Sequence, residues 1–442
     1  MTSFSKISGR KTSFSFLAQL LCLLAISAIE FFLMAKGKPI YANLHQSMQR
    51  AIIGSLIVFW AVSLWQCHRC FLRRDICLGI LMAVWFLVLL VPRQKDPTSG
   101  LPVPLLLSIY LLALPFAAVT EDSCRQTGIR TVAIVFLAGA AYLMAWTLIL
   151  LAVGDTPELT QRFVRWREGR LNIVHHPNTL ARIYMIAMCL CLGFLEQAKT
   201  RLSRGLLLTF TGLLFVGLAM TNSRACTLVT CLMLGGNMFF RVWKGGCKKL
   251  IPALAAAAAV AMASFVISNG LFRWQNNKLM NLAADVKSAI VINQGTWTAD
   301  LPTLNNRTQI WMGALLKIQN DPWILLRGAE DTKIDLEFFV ASHSHNAWME
   351  TLLWLGIPGL LLSLIFSWRA GWASLHILWH TGAGLWKKNI AMLVLGMMAT
   401  SMLEPFLFVT NAGTNFFDYF FFLSLGYLTL WSRELKKQPQ TD

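Results

Sequence analysis

Acidic side chains are scarce in this sequence, 21 Asp and Glu against 39 Lys and Arg, and charges of both signs make up only 14% of its 442 positions. So little charge beside 56% hydrophobic residues, with 17 Trp and 28 Phe, excludes an ordinary soluble domain. Phosphate loops of the G-x-x-x-x-G-K-[ST] kind are missing, which removes ATP as the implied energy source. None of the ten Cys falls between 269 and 346, the one long polar stretch, so no disulfide framework is implied. Cys67-His68-Arg69-Cys70 has the spacing of a metal or redox site, yet no second pair follows, and two thiols in a cytoplasmic connection account for it. Asp335-Leu336-Glu337 is a single acid-x-acid match, better read as a solvated face than as a metal site. Internal repeats are absent, and Ala255 to Ala259 is a plain alanine run. The first apolar run lacks an A-x-A cleavage site and is long enough to stay as an anchor.

What the sequence has in abundance is apolar runs of about 17 to 25 residues, the length an α-helix needs to cross the hydrocarbon core. They predict an all-α polytopic membrane protein with about twelve transmembrane helices: 14–34, 50–66, 76–92, 102–119, 129–153, 177–196, 204–220, 225–240, 250–268, 347–367, 388–409 and 415–431. The net charge of +18 is spread between spans rather than gathered in one folded segment, which argues against a nucleic-acid partner. Topology explains it better. Lys6, Arg10 and Lys11 precede the first span, and alternate connections carry Arg69/Arg73/Arg74, Arg125/Arg130, Lys199/Arg201/Arg204, Arg241/Lys244/Lys248/Lys249, Lys387/Lys388 and Arg433/Lys436/Lys437. The positive-inside rule then places both termini in the cytoplasm. Three regions result: 1–268 with nine spans and a medium outer loop at 154–176, a large outer loop at 269–346, and 347–442 with three spans and a cytoplasmic tail. The large loop balances its basic residues with equal numbers of acids and reads as a folded cap.

Ionisable groups at the edge of a span are costly unless paired or wet, so each is a functional candidate. Arg170, His175, His176, Asn178 and Arg182 fall at the outer start of span six, and Asn222-Ser223-Arg224 is the outer turn between spans seven and eight. Arg307 lies in the large loop, His343 and His345 lead into span ten, and Glu404 is near the outer end of span eleven. All reach one face. The planar, always-charged guanidinium suits Arg to phosphate, so several Arg residues at a membrane lip fit a lipid-linked pyrophosphate; snorkelling to ordinary anionic lipid is the competing explanation. His345 is expected to begin a helix, where a neutral imidazole can act as a base; a structural or purely hydrogen-bonding His fits the spacing equally well, and His343 is an alternative. Asn346 suits a helix N-cap, Glu350 one turn on can orient the imidazole or pair with an Arg, and Gly356 and Gly359 allow close helix approach. Ile310, Trp311, Leu315 and Ile318 recur at helical spacing after Arg307, predicting an amphipathic helix packed on the membrane domain and ended by Asp321-Pro322.

Arg307 followed by Trp311, then Asp321-Pro322-Trp323 and Gly328, then His345-Asn346-x9-Gly356-x-x-Gly359, resembles the bacterial O-antigen ligase and polymerase superfamily, as do His176-Pro177-Asn178 and Ser223-Arg224. The resemblance covers nearly the whole chain. It implies a GT-C type glycosyltransferase fold and an inverting, metal-independent transfer without a cofactor. The donor implied is O-antigen on undecaprenyl pyrophosphate, and the acceptor is a sugar of the lipid A-core oligosaccharide, at the periplasmic face of the bacterial inner membrane. Arg224 and Arg307 would hold the pyrophosphate and His345 would activate or align the acceptor hydroxyl. Arg170, His176, Asn178, Arg182, His343 and Asn346 would line the substrate site. Where the family often has Gly-x-Gly, this chain has Gly328-Ala329-Glu330.

An O-antigen polymerase is the near alternative, although none of Arg162, Arg165, Arg167 and Arg170 begins the R-x10-G pattern frequent in polymerase loops. A protein O-oligosaccharyltransferase usually adds a large soluble domain. A transporter or flippase would call for inverted repeats and polar groups at mid-membrane. A non-catalytic scaffold is the remaining class.

Overall fold

The computed structural model describes residues 17–29, 31–32, 48, scattered positions within 51–62, 122–153, 171, 173–174, 177–243, 246–285, 307–329, 333–335, 340–341, 344–403, 407 and 416–435. Its helices are α1 (Leu17–Ile29), α2 (Asp122–Val153), α3 (Pro177–Leu195), α4 (Arg201–Met220), α5 (Arg224–Val242), α6 (Leu250–Asp285), α7 (Arg307–Asn320), α8 (Ile324–Arg327), α9 (Ala347–Trp379), α10 (Leu385–Ser401) and α11 (Phe416–Leu435). Strands β1 (Ile334–Asp335) and β2 (Val340–Ala341) pair antiparallel. Among the described residues six helices, α2 to α6 and α9, are long and apolar enough to cross a membrane. The chain is a polytopic helical membrane protein. The expected spans 76–92 and 102–119, and Cys67 and Cys70, lie outside the described residues.

α3 sits at the centre, buried without a break from Leu180 to Leu190, as a helix apolar on every side must be. Polar groups within this stretch find partners on neighbouring helices: the Tyr184 hydroxyl shares a 2.7 Å hydrogen bond with Thr147 of α2, and the Cys189 thiol donates to the Asn389 carbonyl of α10. Across α5 and α10, Asn237 Nδ2 donates to Asn389 Oδ1 at 2.7 Å, Gly236 faces Met392, and Gly396 faces Val229 and Met233. Numbers rise on one helix as they fall on the other, so the two run antiparallel. The same progression brings Met402, just past α10, level with the start of α5 at Arg224. A β-carbon on Gly235 would meet the backbone of Ala257, which explains the alanine run: small residues let α5 and α6 approach backbone to backbone.

The opposite end of the bundle is tied by Arg241, which pairs with Glu196 at 2.5 Å and donates to Asn237 at 2.7 Å. Arg130, Lys387 and Lys388 lie over the rings of Trp386, Trp431 and Phe240. This is how cations and aromatic rings share a membrane boundary.

Two helices depart from the expected spans. α6 does not stop near 268 but continues as helix to Asp285. α9 runs 33 residues to Trp379, about 50 Å if straight and far more than a bilayer of roughly 30 Å requires. It is broken at Gly356, whose φ of 67° and ψ of −170° lie outside helix geometry. From the tight turn at 380–384, equal counts along α9 and α10 put Met402 level with a position near 362. In a straight helix Asn346 would therefore stand about 24 Å beyond Met402. Instead its side-chain amide donates to the Met402 carbonyl at 3.0 Å. The segment 347–355 thus folds across the lip, and 357–379 is the part that follows the bundle. Gly356 serves this break as well as the close helix approach expected of it.

The break is filled by the loop region. Gly328, at φ 79°, packs so closely on Trp354 that a β-carbon would overlap its carbonyl, and one on Gly356 would strike the Leu325 and Leu326 backbone. Ala329 N–H donates to the Leu353 carbonyl, closing the contact. Ile310, Ala314, Ile318, Ile324, Ala329, Ile334, Ala341 and Leu353 form a small core of their own on this segment. Leu315, expected to face the protein with Ile310 and Ile318, is 50% exposed. It falls on the other side of α7.

Because each of these glycines combines positive φ with a backbone neighbour, Gly356→Ala and Gly328→Ala are expected to lower the thermal midpoint in detergent. Backbone strain alone amounts to about 1–3 kcal/mol. Gly371→Ala, whose β-carbon would meet only Met398 at 3.9 Å, should melt like the parent. A Gly356→Ala protein with the parent midpoint would show that the break is dispensable.

Candidate functional site at the His345 lip

His345 is not the first residue of a helix, as its position in the sequence predicts. It precedes the cap: Asn346 is extended, at φ −151° and ψ 124°, and its side-chain oxygen accepts from Trp348 and Met349 N–H at 3.0 Å each. His345 itself has φ 54°, a left-handed conformation that costs a residue with a β-carbon and persists only where neighbours over-determine it. Those neighbours are identifiable. Ser344 is fully buried, its N–H donates to the Glu350 carboxylate at 2.8 Å, and its hydroxyl donates to the Asn346 carbonyl at 2.9 Å. Its carbonyl accepts from the Trp311 indole at 2.9 Å. Asn346 then ties the same corner to Met402. Three helices, α7, α9 and α10, thereby fix the backbone on both sides of one partly exposed imidazole.

The Trp311 bond also locates Arg307. Positions four apart share a helix face, and one turn rises about 5.4 Å, so Arg307 lies one turn beyond Trp311 on the side that meets Ser344. Arg224 arrives by a separate route. A tight turn puts Asn222 at φ 49°, and Ser223 is the N-cap position of α5, with Arg224 its first residue. The antiparallel register sets Arg224 level with Met402, and hence with Asn346. Leu171 N–H donates to the Met220 carbonyl, laying the chain before α3 against this turn. Asn178 and Arg182 are buried in the first turns of α3, with the Arg182 guanidinium 6.0 Å from the Phe417 ring.

The field at this lip favours an anion. The alternating order of the bundle turns the N-termini of α3, α5 and α9 to the same end, each the positive pole of a helix dipole. The first turns of α3, α5 and α7 contain no acid, although Asp and Glu are favoured there, and α5 and α7 instead begin with Arg. In the first turn of α9, Glu350 turns inward to Ser344. Backbone N–H groups and guanidinium groups together suit phosphate oxygens. No group of three His, Cys, Asp or Glu side chains able to hold a metal occurs among the described residues.

Of the residues expected here, Arg224, Arg307, His345 and Asn346 come to one lip, and Asn178 and Arg182 lie in the first turns of α3. Arg170, His175, His176, His343 and Glu404 lie outside the described residues. The positioning bonds from Trp311 and to Met402 have no sequence signal beyond the Arg307 to Trp311 spacing.

Residues 209–364 match the model of the O-antigen ligase family. Over that segment the chain is similar to members of the O-antigen ligase and polymerase superfamily. The matched segment spans Arg224, Arg307, His345 and both broken-helix glycines, and begins after α3. Members are glycosyltransferase-like enzymes of O-antigen processing, which implies a lipid-linked glycan substrate. No curated protein matches the chain.

If the cap and the tie to Met402 hold His345, Asn346→Ala should lower the melting midpoint, the lost cap alone contributing about 1 kcal/mol. Asn346→Asp keeps the cap oxygen but not the amide donor, so its midpoint should fall between the two. Equal midpoints for Asn346→Asp and the parent would remove the Met402 bond from the account.

Proposed function

We propose that this protein is an O-antigen ligase of the bacterial inner membrane, with about twelve spans of GT-C type, both termini in the cytoplasm and its site at the periplasmic face. It would transfer O-antigen polysaccharide from undecaprenyl pyrophosphate to a sugar of the lipid A-core oligosaccharide. The reading is supported by the helix starts and positioning bonds that set Arg224, Arg307 and His345, from separate segments of the family-matched region, toward the same end of a membrane bundle.

The step is a displacement at the anomeric carbon of the donor sugar. The acceptor hydroxyl oxygen forms the new glycosidic bond as the bond from that carbon to the pyrophosphate oxygen breaks, inverting the centre. His345 takes the hydroxyl proton, and undecaprenyl pyrophosphate leaves with the bonding pair. Arg224 and Arg307 stabilise the charge that develops on the departing oxygen, the role a metal ion plays elsewhere. The phosphoanhydride-activated donor supplies the driving force, so neither ATP nor a cofactor is required. Arg170, His176, Asn178, Arg182, His343 and Asn346 line or support the substrate site in this reading.

A deletion strain separates this function from its near relative. Uncapped core with long polysaccharide still on the carrier lipid is the expected phenotype; single repeat units on the core would mean a polymerase instead. His345→Ala, inserted at parental levels, should fail to restore capping, and restoration would remove His345 from the step. Arg307→Lys keeps the charge but loses the two-pronged contact with phosphate, so it too should fail; capping at the parental rate would exclude that contact.

A further inference from the structure

Segment 307–327, which carries Arg307, has two apolar sides. One side, Ile310, Ala314, Ile318 and Ile324, is buried in the small core described above. The other holds Met312, Leu315, Leu316, Trp323 and Leu326, each between 50% and 65% exposed, with the uncharged Thr308, Gln309, Gln319 and Asn320 exposed among them. Large apolar side chains grouped this way mark an interaction surface. Past Arg307, the Lys317 ammonium donates to the Lys333 carbonyl at 2.6 Å, and Asp321 pairs with Arg327 at 3.5 Å.

The height of this surface decides what covers it. α8 packs on Trp354 to Gly356, the point where α9 turns into the bundle. Among the described residues, the next exposed large apolar side chains along the chain are Ile357 and Leu361, on a helix apolar enough to cross a membrane. The exposed side of 307–327 is thus continuous with the lipid-facing surface of α9 and stands where the hydrocarbon core gives way to headgroups. Trp323, 65% exposed, is the residue type enriched at that boundary.

We propose that α7 and α8 form an interfacial anchor, their exposed side inserted among the acyl chains of the leaflet at the His345 lip. The occupant is the bilayer itself. A hydrophobic helix side with Trp and Leu seats at the boundary of headgroups and acyl chains in this way. The proposal does not depend on the glycosyl transfer proposed above, since it concerns where the segment rests and not what the site does. It gives Arg307 a fixed height, because a helix lying in the headgroup layer holds the residue at its start in that layer too.

The test places a benzophenone amino acid singly at Leu316, Trp323 or Leu326 in the full-length protein, reconstituted in nanodiscs of defined phospholipid. Leu361 serves as the lipid-facing reference and exposed Asp335 as the aqueous one. After irradiation, intact mass should show phospholipid adducts at the three positions in yields like that at Leu361 and several-fold above that at Asp335. Yields no higher than at Asp335 would overturn the proposal. So would cross-linking mainly to a second copy of the chain in native membranes, or to another protein there. Each variant is also scored for capping of core lipid, so that an adduct pattern without activity, or activity without the pattern, separates the anchor from the reaction.

Discussion

The break at Gly356 governs the rest of the lip. A helix of 33 residues has no reason to stop short of its full length unless its backbone is forced out of register, and Pro358 alone would bend it without turning it. The turn requires the space beside Gly356 that only glycine leaves, and the Leu325 and Leu326 backbone fills it, while Gly328, with its own positive φ, packs on Trp354. With the break in place, the first segment of α9 lies across the bundle, Asn346 reaches Met402, and Trp311 reaches Ser344. The strained backbone of His345 is then one corner of a closed figure, not an isolated outlier.

The electrostatics follow from the same folding. Alternating helices put positive dipole ends at one lip without any further design, and the chain leaves that charge unanswered by acids in the first turns of α3, α5 and α7. Arginine in the opening position of a helix is locally unfavourable. Its presence at both α5 and α7 is a cost that the anionic donor proposed for this lip would offset.

Much of this was legible in the sequence, and the reasons differ residue by residue. Hydropathy located the apolar segments because bilayer thickness sets their length, and Asn346 was readable as a cap because few residue types can accept two backbone N–H groups. The end of α9 was misplaced because a run of apolar residues does not show where a helix bends, and Gly-x-Pro permits either close packing or a break. Leu315 was assigned to the wrong side because helical spacing identifies a stripe only when the opposite face is polar, and here Met312 and Leu316 are apolar too. The contacts that secure His345 were not legible. Trp311 to Ser344 and Asn346 to Met402 are joined across distances in sequence that no local pattern encodes.

α6 continues well past the point where a span would end. Its 36 residues measure about 54 Å, so with roughly 30 Å in the bilayer some 24 Å of rigid rod stands clear of it. In a ligase, a sugar held at headgroup height would begin a polymer that grows away from the membrane along such a rod. Lipid and glycan would then meet different storeys of the same protein: the carrier's charge at the arginines, the repeating sugars at the shaft above.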